Sequence, residues 1–207
     1  MMLRFGGVII CNHAQRNRNC LTCGGYMNLI VAVDEKWGIG YKGDLLVRLR
    51  EDLQNFAALT TGKTVILGSN TLATFPGGRV LKNRRNIVLN PSPAYAPEGA
   101  VVAHSIGELL ETVKKIDSGE VFVIGGASVY KQLLPYCSMA YVTKVYADFC
   151  KDAYFTDLDS SDEWHLEYEG DRKCSRTGDK IGTLTDGTVP ESVEFAFCLY
   201  KRIKSGN

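Results

Sequence analysis

Little in this sequence would build a metal centre or a disulfide framework. It has three histidines, at 13, 104 and 165, with no pair at ligand spacing. Its seven cysteines, at 11, 20, 23, 137, 150, 174 and 198, are odd in number and scattered, as free thiols of a reducing compartment would be. Cys20 and Cys23 make one C-x-x-C, but no second pair completes a zinc site and no strand precedes it as in a thioredoxin-like motif. A redox or metal role for that pair stands only as a rival reading, and no metal is expected. Formal net charge is +1, which leaves no footprint for nucleic acid or a membrane surface. No apolar run approaches the roughly 20 residues of a membrane span. MMLRFGGVIIC holds one basic residue and an apolar run of about six, shorter than the about 7–15 residues of a secretory signal, and no small-residue cleavage site follows, so a cytoplasmic protein is expected.

What the 207 residues do contain is an ordinary globular mixture, 45% hydrophobic and 23% charged, enough for one well-buried core. Residues 1–26 read as a disordered extension, rich in Gly, Asn and Arg and without periodicity. At Met27 the character changes. MNLIVAVD is a partly β-branched apolar run, expected to be a strand buried on both faces. EKWGIGYKGD reads as a glycine-rich loop, 50–60 as a helix, KTVILG as a second buried strand and SNTLATF as a short helix. RNIVLN and AVVA are further strands, and SIGELLETVKKID opens on a capping box, Ser105 to Glu108. EVFVIGG, ASVYKQLLP and MAYVTKVYADF continue the alternation as strand, helix and strand. WHLEYEG and VEFAFCLYKR alternate polar and apolar residues, as an antiparallel pair would, with a polar excursion over 170–191 between them. The expectation is an α/β fold in a single domain, residues 27–204. Its central sheet would be mostly parallel, of about eight strands, with helices on both faces and an antiparallel C-terminal hairpin.

Several residues then stand out. Leu49, Leu53, Phe56 and Leu59 have the spacing of one buried helical stripe, and Asp52 lies at its edge. An acid in a helix's first turn suits the helix dipole, but one beside apolar side chains loses solvation and should gain proton affinity. VFVIGGASVY and VILGSNT both place glycine between a buried strand and a helix start, where free N–H groups can face phosphate. Either alone is as readily a tight structural turn; two on one parallel sheet favour the two ends of a dinucleotide. Arg84 and Arg85 form a basic corner that could clamp a carboxylate.

In their order and spacing, LIVAVDEKWGIGYKGDL, REDLQNF, TGKTVILGSNT, LKNRRNIVLN, VFVIGGASVYKQLLP and the strand containing Thr143 with KDAYFTD beyond it resemble bacterial dihydrofolate reductase. The match runs from about Met27 to the C-terminal hairpin. It implies NADPH-dependent reduction of 7,8-dihydrofolate to tetrahydrofolate, by hydride transfer to C6 with protonation at N5, in a monomer serving one-carbon metabolism. It places Asp52 on the pterin's amino group and ring nitrogen. Ile30, Ala32, Leu45, Leu53 and Phe56 would form the substrate pocket, Arg84 the clamp on the glutamate tail, and Thr143 the hydroxyl bonded to the acid. Ile124, Gly125, Gly126, Ala127, Ser128, Val129 and Tyr130 match one cofactor turn, and Gly68, Ser69, Asn70 and Thr71 the other. The mobile loop, Ile39 and Gly40 through Leu45, would close over the nicotinamide, supported by Asp152.

The sequence also departs from that pattern. Leu46-Val47 stands where many relatives have Pro-Trp, and Arg50 where they have Pro. Ser69 and Ser128 replace arginines of some relatives, leaving Arg85, His104 or Lys63 to meet a 2′-phosphate and NADH open as a donor. Rival readings are a riboflavin-pathway pyrimidine reductase of related fold and a non-catalytic nucleotide-binding module.

Overall fold

The computed structural model describes residues 27–203 in full, and the backbone of Met2–Phe5 and Val8–Cys11, which pair as a two-stranded sheet. Cys20 and Cys23 lie outside the described residues, as does most of the segment expected to be disordered. The long strands are β1 (Met27–Val33), β2 (Thr64–Gly68), β3 (Arg85–Leu89), β4 (Ala100–Ala103), β5 (Val121–Gly125), β6 (Cys137–Val145), β7 (Trp164–Glu169) and β8 (Glu194–Arg202). The helices are α1 (Arg50–Thr60), α2 (Ser69–Thr74), α3 (Ile106–Val113) and α4 (Ala127–Leu133). The main sheet runs β7-β8-β6-β1-β5-β2-β3-β4. Its β1/β5, β5/β2, β2/β3 and β3/β4 pairs are parallel, and β7/β8 is antiparallel. The β-branched apolar runs put their side chains to both faces: in β1 every residue but Ala32 is buried.

Two compact units divide the chain. One holds residues 27–30 and 60–139. In it Leu67, Leu72 and Val88 pack with Phe75, Val80, Tyr95 and Ile124. The capping box of α3 is skewed by one residue: the Ser105 hydroxyl accepts from the Glu108 N–H, while Glu108 reaches back to the N–H of His104 rather than of Ser105.

The other unit holds 31–59 and 140–203. Its main buried polar hub is Asp34, whose carboxylate accepts from the backbone N–H of Lys36, Gly38 and Phe149 and from Lys151. A buried carboxylate is tolerable only when satisfied in this way. The stretch expected as a plain loop is a hairpin, Gly38–Tyr41 against Asp44–Leu45, with Ala153–Tyr154 added as a third strand. The 170–191 excursion is also tied down: Lys173–Cys174 pairs with β8, and Lys180–Ile181 with Val47–Arg48. Its polarity reflects an edge location where backbone pairing, not side-chain burial, supplies the contacts.

Candidate active site

Helix α1 begins at Arg50, so Asp52 lies in its first turn, as the sequence places it. The buried Thr143 on β6 donates from its hydroxyl to Oδ1 of Asp52 at 2.6 Å. Burial pushes the Asp52 carboxyl above its ordinary range, and the Thr143 hydrogen bond only partly opposes that. A raised carboxyl marks a site where ionising Asp52 is costly unless a cationic or protonating partner compensates, which is what a ring gaining positive charge supplies. One turn on, the side-chain nitrogen of Asn55 is buried without a hydrogen-bond partner. A donor left so is satisfied by water or a ligand.

The stripe beside Asp52 is not uniformly buried. Leu49 and Leu59 are sealed in the core, but Leu53 is 49% exposed and Phe56 half-buried, so this part of the face stays open. Leu45 is 55% exposed, yet with Ala32, Ile39, Leu46 and Val47 it lines a void of only about 10 Å³. The hairpin carrying Ile39, Gly40 and Leu45 is pinned by Asp152, whose carboxylate accepts from Lys42 N–H at 2.9 Å while its own N–H donates to the Gly40 carbonyl.

In the other unit Arg84 is set in a turn closed by Asn86, whose buried amide accepts from Leu81 N–H and donates to the carbonyls of Leu81 and Arg84. The Arg84 guanidinium donates to Thr60 and Thr61 hydroxyls and to the Lys82 carbonyl. Its fork is thus oriented before any ligand arrives, which lowers the entropy cost of binding a carboxylate.

The two glycine turns of that unit come together. A Cβ on Gly68 would lie 3.0 Å from the Val129 side chain, and one on Gly126 would lie 2.9 Å from the Thr71 hydroxyl. Gly125 has φ of +125°, a conformation open to glycine, and is joined to Gly126 by a cis peptide. The buried Tyr130 hydroxyl donates to the Ile30 carbonyl at 2.6 Å, and Ile124 packs into the core cluster behind the turn. Neither α2 nor α4 has a side-chain N-cap. Ser69, Asn70, Thr71, Ala127, Ser128 and Val129 line a cavity of about 500 Å³.

A family model for dihydrofolate reductase matches residues 26–181. The chain belongs to the dihydrofolate reductase family. It is 37% identical over 142 residues to the dihydrofolate reductase of Bacillus subtilis (strain 168), covering 68% of this chain and 80% of that protein. The viral dihydrofolate reductase of Saimiriine herpesvirus 2 is 36% identical over 162 residues, 70% of this chain and 75% of the relative. Among solved structures, a dihydrofolate reductase from Enterococcus faecalis complexed with NADP(H) and RAB-propyl superposes with a TM-score of 0.67 at 31% identity. That superposition covers 87% of this chain and 98% of the other.

Within this family member the three cations offered for a 2′-phosphate separate cleanly. Lys63 is paired with Glu120, and Arg85 is exposed and does not line the cavity. His104 does line it, with Nδ1 3.0 Å from the Asn90 carbonyl. Sequence reading missed the rest of that wall, including Pro91, Ser105, Ile106 and Gln132. The available signal was position: Pro91, Ser105 and Ile106 follow the carboxyl ends of parallel strands, where ligands gather.

Proposed function

We propose that dihydrofolate reduction proceeds here by hydride transfer to C6 of 7,8-dihydrofolate with protonation at N5, giving 5,6,7,8-tetrahydrofolate for one-carbon and thymidylate metabolism. The observation that carries this is the half-buried Asp52 carboxyl bonded to Thr143, with its proton affinity raised by burial. Asp52 accepts hydrogen bonds from the pterin's amino group and ring nitrogen, and its negative charge favours the ring as N5 gains a proton. Leu53 and Phe56 on the same helix offer apolar surface to the ring system, and Arg84 offers a bidentate fork to the glutamate carboxylate.

The residues fit a dinucleotide. Helix starts without side-chain caps, brought together on one cavity, suit a pyrophosphate, so Gly68 to Thr71 and Gly125 to Tyr130 would hold the cofactor. NADPH supplies the hydride when bound. Of the residues lining the cavity, His104 offers an imidazole that can hydrogen-bond a 2′-phosphate, which supports NADPH over NADH. The related pyrimidine reductase is disfavoured because its substrate needs neither the Asp52 anchor nor a clamp such as Arg84. A monomer acting on a small molecule in the cytoplasm completes the reading; among the described residues no helix is long and apolar enough to cross a membrane.

The test is dihydrofolate-dependent NADPH oxidation by the wild type, Asp52→Asn and Arg84→Leu, with NADH run beside NADPH. Turnover by wild type that collapses in Asp52→Asn supports the reading. No dihydrofolate-dependent oxidation by wild type ends it, and a pyrimidine-phosphate substrate in its place would establish the rival.

A further inference from the structure

The 170–191 excursion does something that neither its composition nor the family match announces. Asp179 places Oδ1 2.9 Å from the backbone N–H of Arg50, the first residue of α1. Its other oxygen accepts from Arg176 N–H at 2.8 Å, and its own N–H donates back to the Arg176 carbonyl, so the capping carboxylate is itself locked in a small turn. Lys173 and Arg176 both reach Glu51, the residue before Asp52. These two cations, Lys173 first, hold the Glu51 carboxyl below its ordinary range. Further along, Lys180–Ile181 pairs with Val47–Arg48, and Gly182 N–H donates to the Leu46 carbonyl at 2.9 Å. That approach admits no side chain: a Cβ on Gly182 would lie 2.6 Å from the Leu46 oxygen. Every residue from Leu46 to Glu51 except Leu49 is thus held by this one segment.

We propose that residues 173–184 form a strap that positions the Asp52 carboxyl through the start of α1, with Asp179 as the positioning residue. A helix opens with N–H groups that have no partner within it, and an external carboxylate satisfies one of them while opposing the positive end of the helix. Here the helix start carries two adjacent acids, of which only Asp52 is left for a ligand. The strap neutralises Glu51, supplies the missing cap and fixes the chain entering the helix. Its strand Lys180–Ile181 lies directly against Val47 and Arg48, so this segment also supports the chain two residues before the helix.

The charged groups around the first turn of α1 are Arg50 and Glu51 on the helix, Arg48 paired with Asp44 before it, and Lys173, Arg176, Asp179 and Lys180 on the strap. Strand β6 contributes the uncharged Thr143 hydroxyl. Loss of the Asp179 charge removes an anion from this set, so Asp52 should release its proton more easily.

The experiment follows the Asp52 carboxyl carbon by ¹³C NMR titration in the full chain, assigned with Asp52→Asn, and in parallel the pH profile of turnover. Asp179→Asn keeps an acceptor and loses the charge. It should lower the Asp52 midpoint and the alkaline limb of turnover by a few tenths of a pH unit, with KM for dihydrofolate unchanged. Asp179→Ala loses both and should also raise that KM several-fold while turnover at acid pH persists. If both variants lower only the melting temperature, leaving midpoint and KM as in wild type, the strap is merely structural and the proposal falls. If Asp179→Ala does not fold, Asp179→Asn decides alone. The proposal rests on the dihydrofolate reading only for its kinetic arm; the NMR midpoint judges it even if the protein fails to reduce dihydrofolate.

Discussion

The Thr143 hydroxyl and Oδ1 of Asp52, 91 residues apart in sequence, meet at 2.6 Å. Strand β6 thereby reads the protonation state of the first turn of α1. Hydroxyl donation favours the carboxylate, burial favours the acid, and burial is the larger effect.

The first prediction is therefore for Asp52→Asn. Near neutral pH it should lose most turnover, and at acid pH less, because substrate already protonated in solution no longer needs the anion's help. Rates measured across pH with saturating NADPH check this; a variant equally impaired at every pH would refute it.

Stability should move the opposite way. The folded protein holds the Asp52 proton more tightly than the unfolded chain, so this residue's contribution is full below the ordinary carboxylate value of 3.8 and is lost as pH rises through the raised folded value. Asp52→Asn should accordingly melt higher than wild type at neutral pH, with the gap closing toward pH 4. A melting series across that range measures it.

Thr143→Val tests the other half of the pair. Without its donor the carboxyl should hold its proton to still higher pH, raising the Asp52 midpoint in the ¹³C titration, against the direction expected for Asp179→Asn. Loss of a buried hydrogen bond to the acid should also cost about 1–2 kcal/mol of stability.

For Arg84→Leu the expectation is a split between binding and rate. KM for dihydrofolate should rise on the order of 100-fold, as removal of about 2–3 kcal/mol of charge-assisted hydrogen bonding implies, while kcat changes little. A substrate analogue lacking the glutamate tail should be insensitive to the substitution, and steady-state kinetics with both compounds distinguishes the cases.

His104→Gln should raise KM for NADPH and leave KM for NADH unchanged, because only the former carries the 2′-phosphate. Equal effects on both donors would assign His104 to the wall alone.

Much of this was legible in the chain. Buried strands announce themselves as apolar runs, so β1, β2, β3 and β5 could be read within a residue or so, and α1 over 50–60 matches its observed span. The local settings of Asp52, Arg84 and the two glycine turns could be read because each is a short local pattern: an acid in a helix's first turn, a basic turn before a strand, and glycine between strand and helix. Other features depend on residues far apart in sequence. Nothing near Asp179 says that it caps a helix 129 residues earlier. The short strands Lys180–Ile181 and Val47–Arg48 exist only through their pairing, and their sequences carry no strand period. The exposure of Leu53 was hidden for a related reason: helical spacing identifies a face, while what covers that face is decided by the rest of the fold.

Leu45 and Leu53 have a consequence outside catalysis. Each keeps about half its surface in water, and exposed apolar surface invites aggregation and quality control. Covering a leucine fully is worth about 1.5–3 kcal/mol, so a ligand that shields both should protect the chain as well as engage it. The amount of this protein a cell retains should then rise and fall with its supply of folate, or of any antifolate that fills the same place.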